Sequence, residues 1–244
     1  RLKFEGVEEY QLQEHDYNNC TYEIENINQS NDICYVIFTS GTTGKPKGTL
    51  IQHCNLINYC LYSQIYKGKE DMFDDKFECA LAYSKFTFDM SVGEIHYPLL
   101  RGCKIVICND EEFNNPELIG KLIIENKVDY CFSAPSRLEK YLNNEIFAKS
   151  LSNLKYLLFG GEPIYKIINV LLDNYDIKIF NGYGPTETTV ICTLNSYTKN
   201  TIINSSIGKP LCNCPIYILD KYMKPVPIGI EGEIVVGGYG VVNE

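Results

Sequence analysis

The 244-residue chain is 45% hydrophobic and 22% charged, a composition that suits one large domain or two small ones with a substantial core. A net charge of −9 without a long basic run argues against a nucleic-acid partner, and no apolar run is long enough to span a membrane. Eleven cysteines lie scattered without a C-x-x-C pair, and Cys212 and Cys214 lie far in sequence from the three histidines His15, His53 and His96; this argues against a zinc site and predicts apolar core cysteines in a reducing, cytoplasmic setting.

In chain order, residues 1–30 are polar, rich in Asn and Glu, and predict a peripheral lead-in. From 31 to 200, short runs rich in Ile, Val and Tyr alternate with helical patterns. Strands are predicted at 33–38, 79–83, 104–108, 130–132, 156–159 and 177–180, and helices at 55–66, 91–100, 116–126, 136–142 and 164–172. Such alternation implies βαβ units, an α/β fold of mostly parallel sheets with flanking helices. From 201 to 244, Pro and Gly punctuate short strands at 216–219 and 233–236, which predicts the start of a β-rich subdomain. A strand and turn so near residue 244 would leave a sheet edge unfinished, as in an internal piece of a longer polypeptide.

The loop after the first strand runs Thr39-Ser40-Gly41-Thr42-Thr43-Gly44-Lys45-Pro46-Lys47-Gly48. Glycines let a backbone approach an anion, hydroxyls add donors and lysines add countercharge, which together suit a triphosphate. A Walker loop is excluded, because only two residues separate Gly41 from Gly44 and Pro46 follows Lys45. A plain surface turn is the other reading of this composition.

Three further segments carry chemistry. In Phe86-Thr87-Phe88-Asp89-Met90-Ser91-Val92-Gly93-Glu94-Ile95, Asp89 precedes a helix and reads either as an N-cap or as a ligand-facing anion. Tyr156-Leu157-Leu158-Phe159-Gly160-Gly161-Glu162-Pro163 ends a strand in two glycines, a tight βα turn or a backbone cradle. Asn181-Gly182-Tyr183-Gly184-Pro185-Thr186-Glu187-Thr188-Thr189 clusters amide, phenol, hydroxyl and carboxylate beyond what a turn requires.

Together with Ile207-Gly208-Lys209-Pro210 and Gly229-Ile230-Glu231-Gly232-Glu233-Ile234, these segments resemble, in order, the motifs of the adenylate-forming superfamily. Within it they resemble the amino-acid adenylation domains of nonribosomal peptide synthetases. The resemblance implies an AMP-forming ligase that uses ATP and Mg²⁺ to activate an amino acid as aminoacyl-AMP. The acyl group would then pass to phosphopantetheine on a peptidyl carrier domain, with a small MbtH-like activator protein as a further partner.

It also implies roles. Thr39, Ser40, Gly41, Thr42, Thr43, Gly44 and Lys47 would cradle the phosphates, and Gly160, Gly161 and Glu162 would border the purine and the acyl pocket. Asn181 would bond the adenine amine, Tyr183 would stack on the ring between Gly182 and Gly184, Thr186 would contact the α-phosphate and Glu187 would hold Mg²⁺. Lys47, Thr186 and Glu187 are the expected catalytic residues. Asp89 would pair with the substrate α-ammonium, which fatty-acid and aryl-acid relatives lack. Met90, Gly93, Phe132, Leu158, Gly160, Gly182, Val190 and Ile191 would line the side-chain pocket. That lining is apolar, so a polar side chain would enter unpaired at a cost of about 1–3 kcal/mol. A branched aliphatic substrate is expected, with Phe or Tyr next.

The Thr-Gly-Asp segment and the C-terminal lid domain of complete relatives are absent from 1–244, so this stretch alone is expected to turn over very slowly. The alternatives are a stand-alone amino-acid–carrier ligase, an acyl-CoA synthetase, or a non-catalytic interaction module derived from an adenylation domain.

Overall fold

The computed structural model describes residues 25–39, 45–62, 77–164, 167–199, 201, 204 and 206–242. Its main element is a seven-stranded sheet in the order β4-β3-β5-β6-β7-β8-β9, formed by Lys104–Ile107, Cys79–Ala82, Tyr130–Ser133, Tyr156–Phe159, Lys178–Tyr183, Thr193–Tyr197 and Lys209–Pro210. The strands from β4 to β7 are parallel, and β8 and β9 add antiparallel. Every residue of β3, β5 and β6 is buried, because helices cover both faces of a parallel sheet and each strand then reads as a continuous apolar run.

Side-chain alternation divides the core in two. Leu81, Cys131, Leu157, Phe159 and Ile179 face one cluster, shared with Ile119 and Ile123 of α4 (Pro116–Asn126), Leu138 of α5 (Pro135–Tyr141) and Leu171 of α7 (Ile167–Asn174). Ala80, Tyr130, Phe132, Leu158 and Phe180 face the other, with Leu56 and Tyr59 of α1 (His53–Tyr62) and Met90, Val92 and Tyr97 of α2 (Met90–Leu100). Helix α4 starts and stops by local chemistry. Asn115 accepts from the backbone N–H groups of Glu117 and Leu118, Pro116 takes the first turn, and Lys127 ends the helix at φ 55°.

The strand order places the binding crevice. From β3 the chain goes one way to β4, through α2, and then returns past β3 to β5 on its other side. Loops leaving β3 and β5 at their carboxyl ends therefore diverge, and the gap between them is the place where open α/β sheets take ligands.

Outside the main sheet, β1 (Ile33–Thr39) pairs antiparallel with β2 (Lys47–Gln52), and β10 (Ile216–Leu219) with β11 (Glu233–Val236). The first hairpin corrects the expectation of a long loop reaching Gly48. Lys47 and Gly48 open a strand in which Thr49 and Ile51 are buried while Gly48 and Leu50 are exposed, a two-residue period hidden by its polar start. Two short helices, α3 (Asp110–Asn114) and α6 (Glu145–Ser150), also go beyond the elements read from sequence.

Candidate functional site

The deciding contact joins two loops 97 residues apart. Thr186 Oγ1 donates to Asp89 Oδ2 at 2.9 Å. Asp89 stands at the N-cap position of α2 with helical dihedrals and makes no side-chain capping hydrogen bond to that helix, so its firm side-chain partner is Thr186 and not the helix. Burial pushes the Asp89 carboxyl up from its ordinary range, against the opposing pull of the Thr186 hydroxyl and of the Met90 and Asp89 backbone N–H groups, and the Glu187 charge raises it further. Asp89, Thr186 and Glu187 are thus one electrostatic neighbourhood. Tyr35 of β1 belongs to it as well. Its hydroxyl is buried without a hydrogen-bond partner, and the nearby Asp89 charge adds to the rise that burial causes.

The loop that carries Asp89 is fastened from within its own helix. Glu94 is 0% exposed. Its Oε2 accepts from the backbone N–H groups of Tyr83 at 3.0 Å and Ser84 at 2.8 Å, and its Oε1 from Ser84 Oγ at 2.7 Å. Burial pushes its carboxyl up to about 7.

Two cavities open at the carboxyl ends of the parallel strands. One, of about 560 Å³, lies at the strand-order switch, bounded by Ser84, Lys85, Thr87 and Phe88 after β3, Ala134, Ser136 and Arg137 after β5 and Gly160 to Glu162 after β6. Lys85, Arg137 and Lys140 give it a cationic side, and the Arg137 guanidinium lies 4.1 Å from the Phe113 ring centroid. The second cavity, of about 420 Å³, follows β6 and β7 and is lined by Gly161, Glu162, Asn181, Gly182, Tyr183 and Gly184, with Tyr197, Asn204 and Ile207. The two share Gly161 and Glu162. The Glu162 side chain turns to Ser136, accepting from its N–H at 3.0 Å and its hydroxyl at 2.8 Å, and so ties the β6 turn to the start of α5.

Gly184 has a steric reason to be glycine, since a Cβ there would lie 2.6 Å from Ile191 Cα and 2.8 Å from the Cys192 nitrogen. The adjoining loop holds Thr189 and Val190 at φ 59° and 72°, a left-handed conformation unfavourable for β-branched residues. Thr189 Oγ1 donates to the Gly240 carbonyl at 2.8 Å, and Val242 N–H donates to the Glu187 carbonyl. The chain near residue 240 thereby braces the loop.

Of the expected site residues, Ser40, Gly41, Thr42, Thr43 and Gly44 lie outside the described residues. Thr39 and Lys47 are paired at the loop end of the β1–β2 hairpin, the last pair before the connection between the two strands. Met90 and Gly160 border the first cavity, and Gly182 borders the second. Phe132, Leu158, Val190 and Ile191 are buried in the apolar cluster behind them. The space beside Gly93 and Gly160 is taken up by the Phe132 ring, and that beside Gly182 by Ile191. Glu187 is exposed in a short 3-10 turn, Thr186–Thr188. No group of three or more metal-ligating side chains occurs among the described residues. Tyr35, Tyr197 and Asn204 belong to none of the site motifs. In sequence Tyr35 reads as a strand residue, while Tyr197 and Asn204 fall outside the elements read there, and β8, which carries Tyr197, emerges only in the fold.

Comparison with known proteins accounts for this arrangement. The model of the AMP-binding enzyme family matches residues 2–244. The chain belongs to that family. Among curated relatives, this AMP-binding chain is 34% identical over 250 residues to a mycosubtilin synthase polypeptide of Bacillus subtilis, covering 100% of the chain and 9% of that protein. It is 34% identical over 221 residues to gramicidin S synthase 2 of Aneurinibacillus migulanus, covering 89% of the chain and 5% of that protein. The AMP-binding chain thus spans under a tenth of the length of these relatives.

Among solved structures, it superposes at a TM-score of 0.79 and 26% identity on a nonribosomal peptide synthetase protein containing adenylation and PCP domains, bound to a vinylsulfonamide inhibitor. The match covers 93% of this chain and 39% of that one. The N-terminal subdomain of Klebsiella oxytoca NpsA matches its fold at a TM-score of 0.75 and 22% identity, over 92% of this chain and 55% of that one. No helix among the described residues is long and apolar enough to cross a membrane.

Proposed function

We propose that this chain is the ATP- and amino-acid-binding part of a longer AMP-forming ligase of nonribosomal peptide synthesis. The observation behind this reading is the Asp89–Thr186 hydrogen bond. It puts an under-neutralised carboxylate beside the loop expected to hold the α-phosphate. A free α-ammonium placed at Asp89 would bring its own carboxylate toward Thr186, where the phosphorus would lie.

In the reaction, a carboxylate oxygen of the amino acid attacks the α-phosphorus of ATP. The new P–O bond forms as the bond to the bridging oxygen breaks, and pyrophosphate leaves. Both reactants are anions, so the protein's task is charge compensation and in-line positioning. The cavity lined by Asn181, Gly182, Tyr183 and Gly184 would take the purine, Thr39 and Lys47 would meet the phosphate end, and Thr186 would orient the α-phosphate. Glu187 suits Mg²⁺ as a hard, exposed oxygen ligand, with nucleotide oxygens and water completing the shell. That ion would neutralise phosphate charge and fix its orientation. The 560 Å³ cavity beside Met90 and Gly160 would lead outward from the amino-acid position, and acyl transfer to a carrier-domain thiol agrees with the adenylation–PCP composition of the structural neighbour. The α-ammonium partner favours amino acids over fatty acids, and the apolar surroundings favour an aliphatic side chain. We also take β10 and β11 to begin a separate β-rich subdomain.

The test is amino-acid-dependent ATP–pyrophosphate exchange by the full-length polypeptide. One or a few apolar amino acids should support exchange, and Asp89→Ala should lower kcat/KM for them about 100-fold or more, as expected for deleting one member of a buried charge pair. Exchange driven equally well by fatty acids, or unchanged in Asp89→Ala, would overturn the proposal.

A further inference from the structure

Tyr59 lies on α1, a helix that none of the recognised motifs includes. The residue is 3% exposed, and its hydroxyl has no hydrogen-bond partner. A buried hydroxyl without a partner has lost its hydration with nothing in return, and such groups in native proteins call for an explanation. Its place in the fold supplies one. A Cβ on Gly93 would lie 2.7 Å from Tyr59 Oη and 2.8 Å from Phe132 Cδ1, so the hydroxyl and the ring edge meet at the same point on α2. The other edge of the ring lies against Gly160, where a Cβ would meet Phe132 Cε2 at 3.0 Å. One aromatic ring therefore occupies the space that two glycines leave open. Gly160 borders the open cavity, and Tyr59 stands on the far side of the ring.

We propose that Phe132 is the partition that ends the amino-acid pocket, and that Tyr59 behind it is a latent specificity determinant, the back wall of a deeper pocket that the ring keeps closed. This rests on the function proposed above. With Phe132 in place, the pocket ends at the ring face and takes a short or branched aliphatic side chain. The hydroxyl behind stays dry and unpaired. With Phe132 trimmed, the pocket runs past Gly160 and Gly93 and ends at a phenolic hydroxyl, which suits an aromatic side chain with its own hydroxyl at the far end. Burial pushes the Tyr59 phenol well above its ordinary range, so it stays protonated and can either donate or accept.

The experiment is a substrate panel in pyrophosphate exchange, using the full-length protein as wild type, Phe132→Ala and Phe132→Ala/Tyr59→Phe. Phe132→Val serves as a milder trim should Phe132→Ala fail to fold, and nucleotide binding reports that each variant is folded. Trimming Phe132 should shift the Tyr-to-Leu ratio of kcat/KM toward Tyr by about 100-fold. It should also create a preference for Tyr over Phe of about 10-fold or more, since a site that bonds a hydroxyl rejects the analogue lacking it. Tyr59→Phe in that background should bring the Tyr-to-Phe ratio to about one. A trimmed enzyme that still excludes aromatics, or whose Tyr-to-Phe ratio ignores Tyr59, would overturn the inference. A wild-type protein that exchanges with no amino acid would instead sink the proposed function beneath it.

Discussion

Two carboxylates bracket the first turns of α2, and they are put to opposite uses. Glu94 is wholly enclosed, yet each of its oxygens has a donor, three in all and all from Tyr83 and Ser84. Asp89, five residues earlier at the helix mouth, is only half-buried and has one side-chain donor, Thr186. Burial raises both carboxyls. Only Glu94 is satisfied internally, so it acts as a rivet holding the β3–α2 turn. Asp89 is held in place but left short of positive charge. A fully bonded buried acid builds structure, and an under-bonded one at a crevice can bind.

That contrast can be broken at either end. Glu94→Ala would leave two backbone N–H groups and a hydroxyl without an acceptor, costing about 3 kcal/mol. Amide exchange at Tyr83 and Ser84 should speed up roughly a hundredfold while exchange in β6 stays slow, and amino-acid-dependent activity should fall with it. If the rivet is removed and those amides remain protected, the comparison is wrong.

Glu94 also gives the turn a pH signature. Its carboxyl rises from 4.5 to about 7 in the folded protein, so the folded state binds the extra proton between those values. The stabilising contribution is full below about 4.5 and is lost as pH rises through about 7, amounting to no more than about 3 kcal/mol. Glu94→Gln should flatten stability across that window.

Thr186→Val makes a smaller change, deleting the one hydroxyl that lowers the Asp89 carboxyl together with the expected α-phosphate contact, so the pH profile and not the rate alone reads Asp89. The acid limb of kcat/KM for the amino acid should move to higher pH, with about a tenfold loss near that limb. An unshifted limb would mean that Asp89 ionisation is not what the substrate senses. Smaller still at saturating metal is the effect of Glu187→Gln, which should raise the Mg²⁺ concentration needed for half-maximal exchange several-fold. Wild-type behaviour at limiting Mg²⁺ would count against Glu187 as a ligand.

The sequence and the fold agree where burial is two-sided. Runs such as Tyr156–Phe159 are apolar throughout because both faces of the sheet are covered, and so they are easy to read. Strand β2 is not, because it begins with Lys47 and Gly48 and only its alternate residues are buried. Helices α3 and α6 are five and six residues long, too short to show a period. Their legible signal is the capping asparagine, Asn109 or Asn144, followed three residues on by Glu112 in the first case.

In the site, Asp89 and Thr186 each stand out in a motif, yet their hydrogen bond spans 97 residues and only the fold reveals it. In sequence, glycines at 93, 160 and 182 suggest depth, part of it filled by Met90 and Phe132. The structure shows the room already taken by Phe132 and Ile191, side chains brought there by the fold. Tyr59 reads as ordinary helix core, because an unpaired hydroxyl leaves no trace in composition.

The central claim is that Asp89 is kept short of charge so that it can pair with a substrate ammonium. It is tested most directly by comparing kcat/KM for the preferred amino acid and for the same acid lacking its amino group, in the full-length wild type and in Asp89→Ala. The wild type should favour the amino acid by about 100-fold or more, and in Asp89→Ala the ratio should collapse toward one because only the amino acid suffers. Equal losses for both substrates would make Asp89 a structural residue and contradict the account.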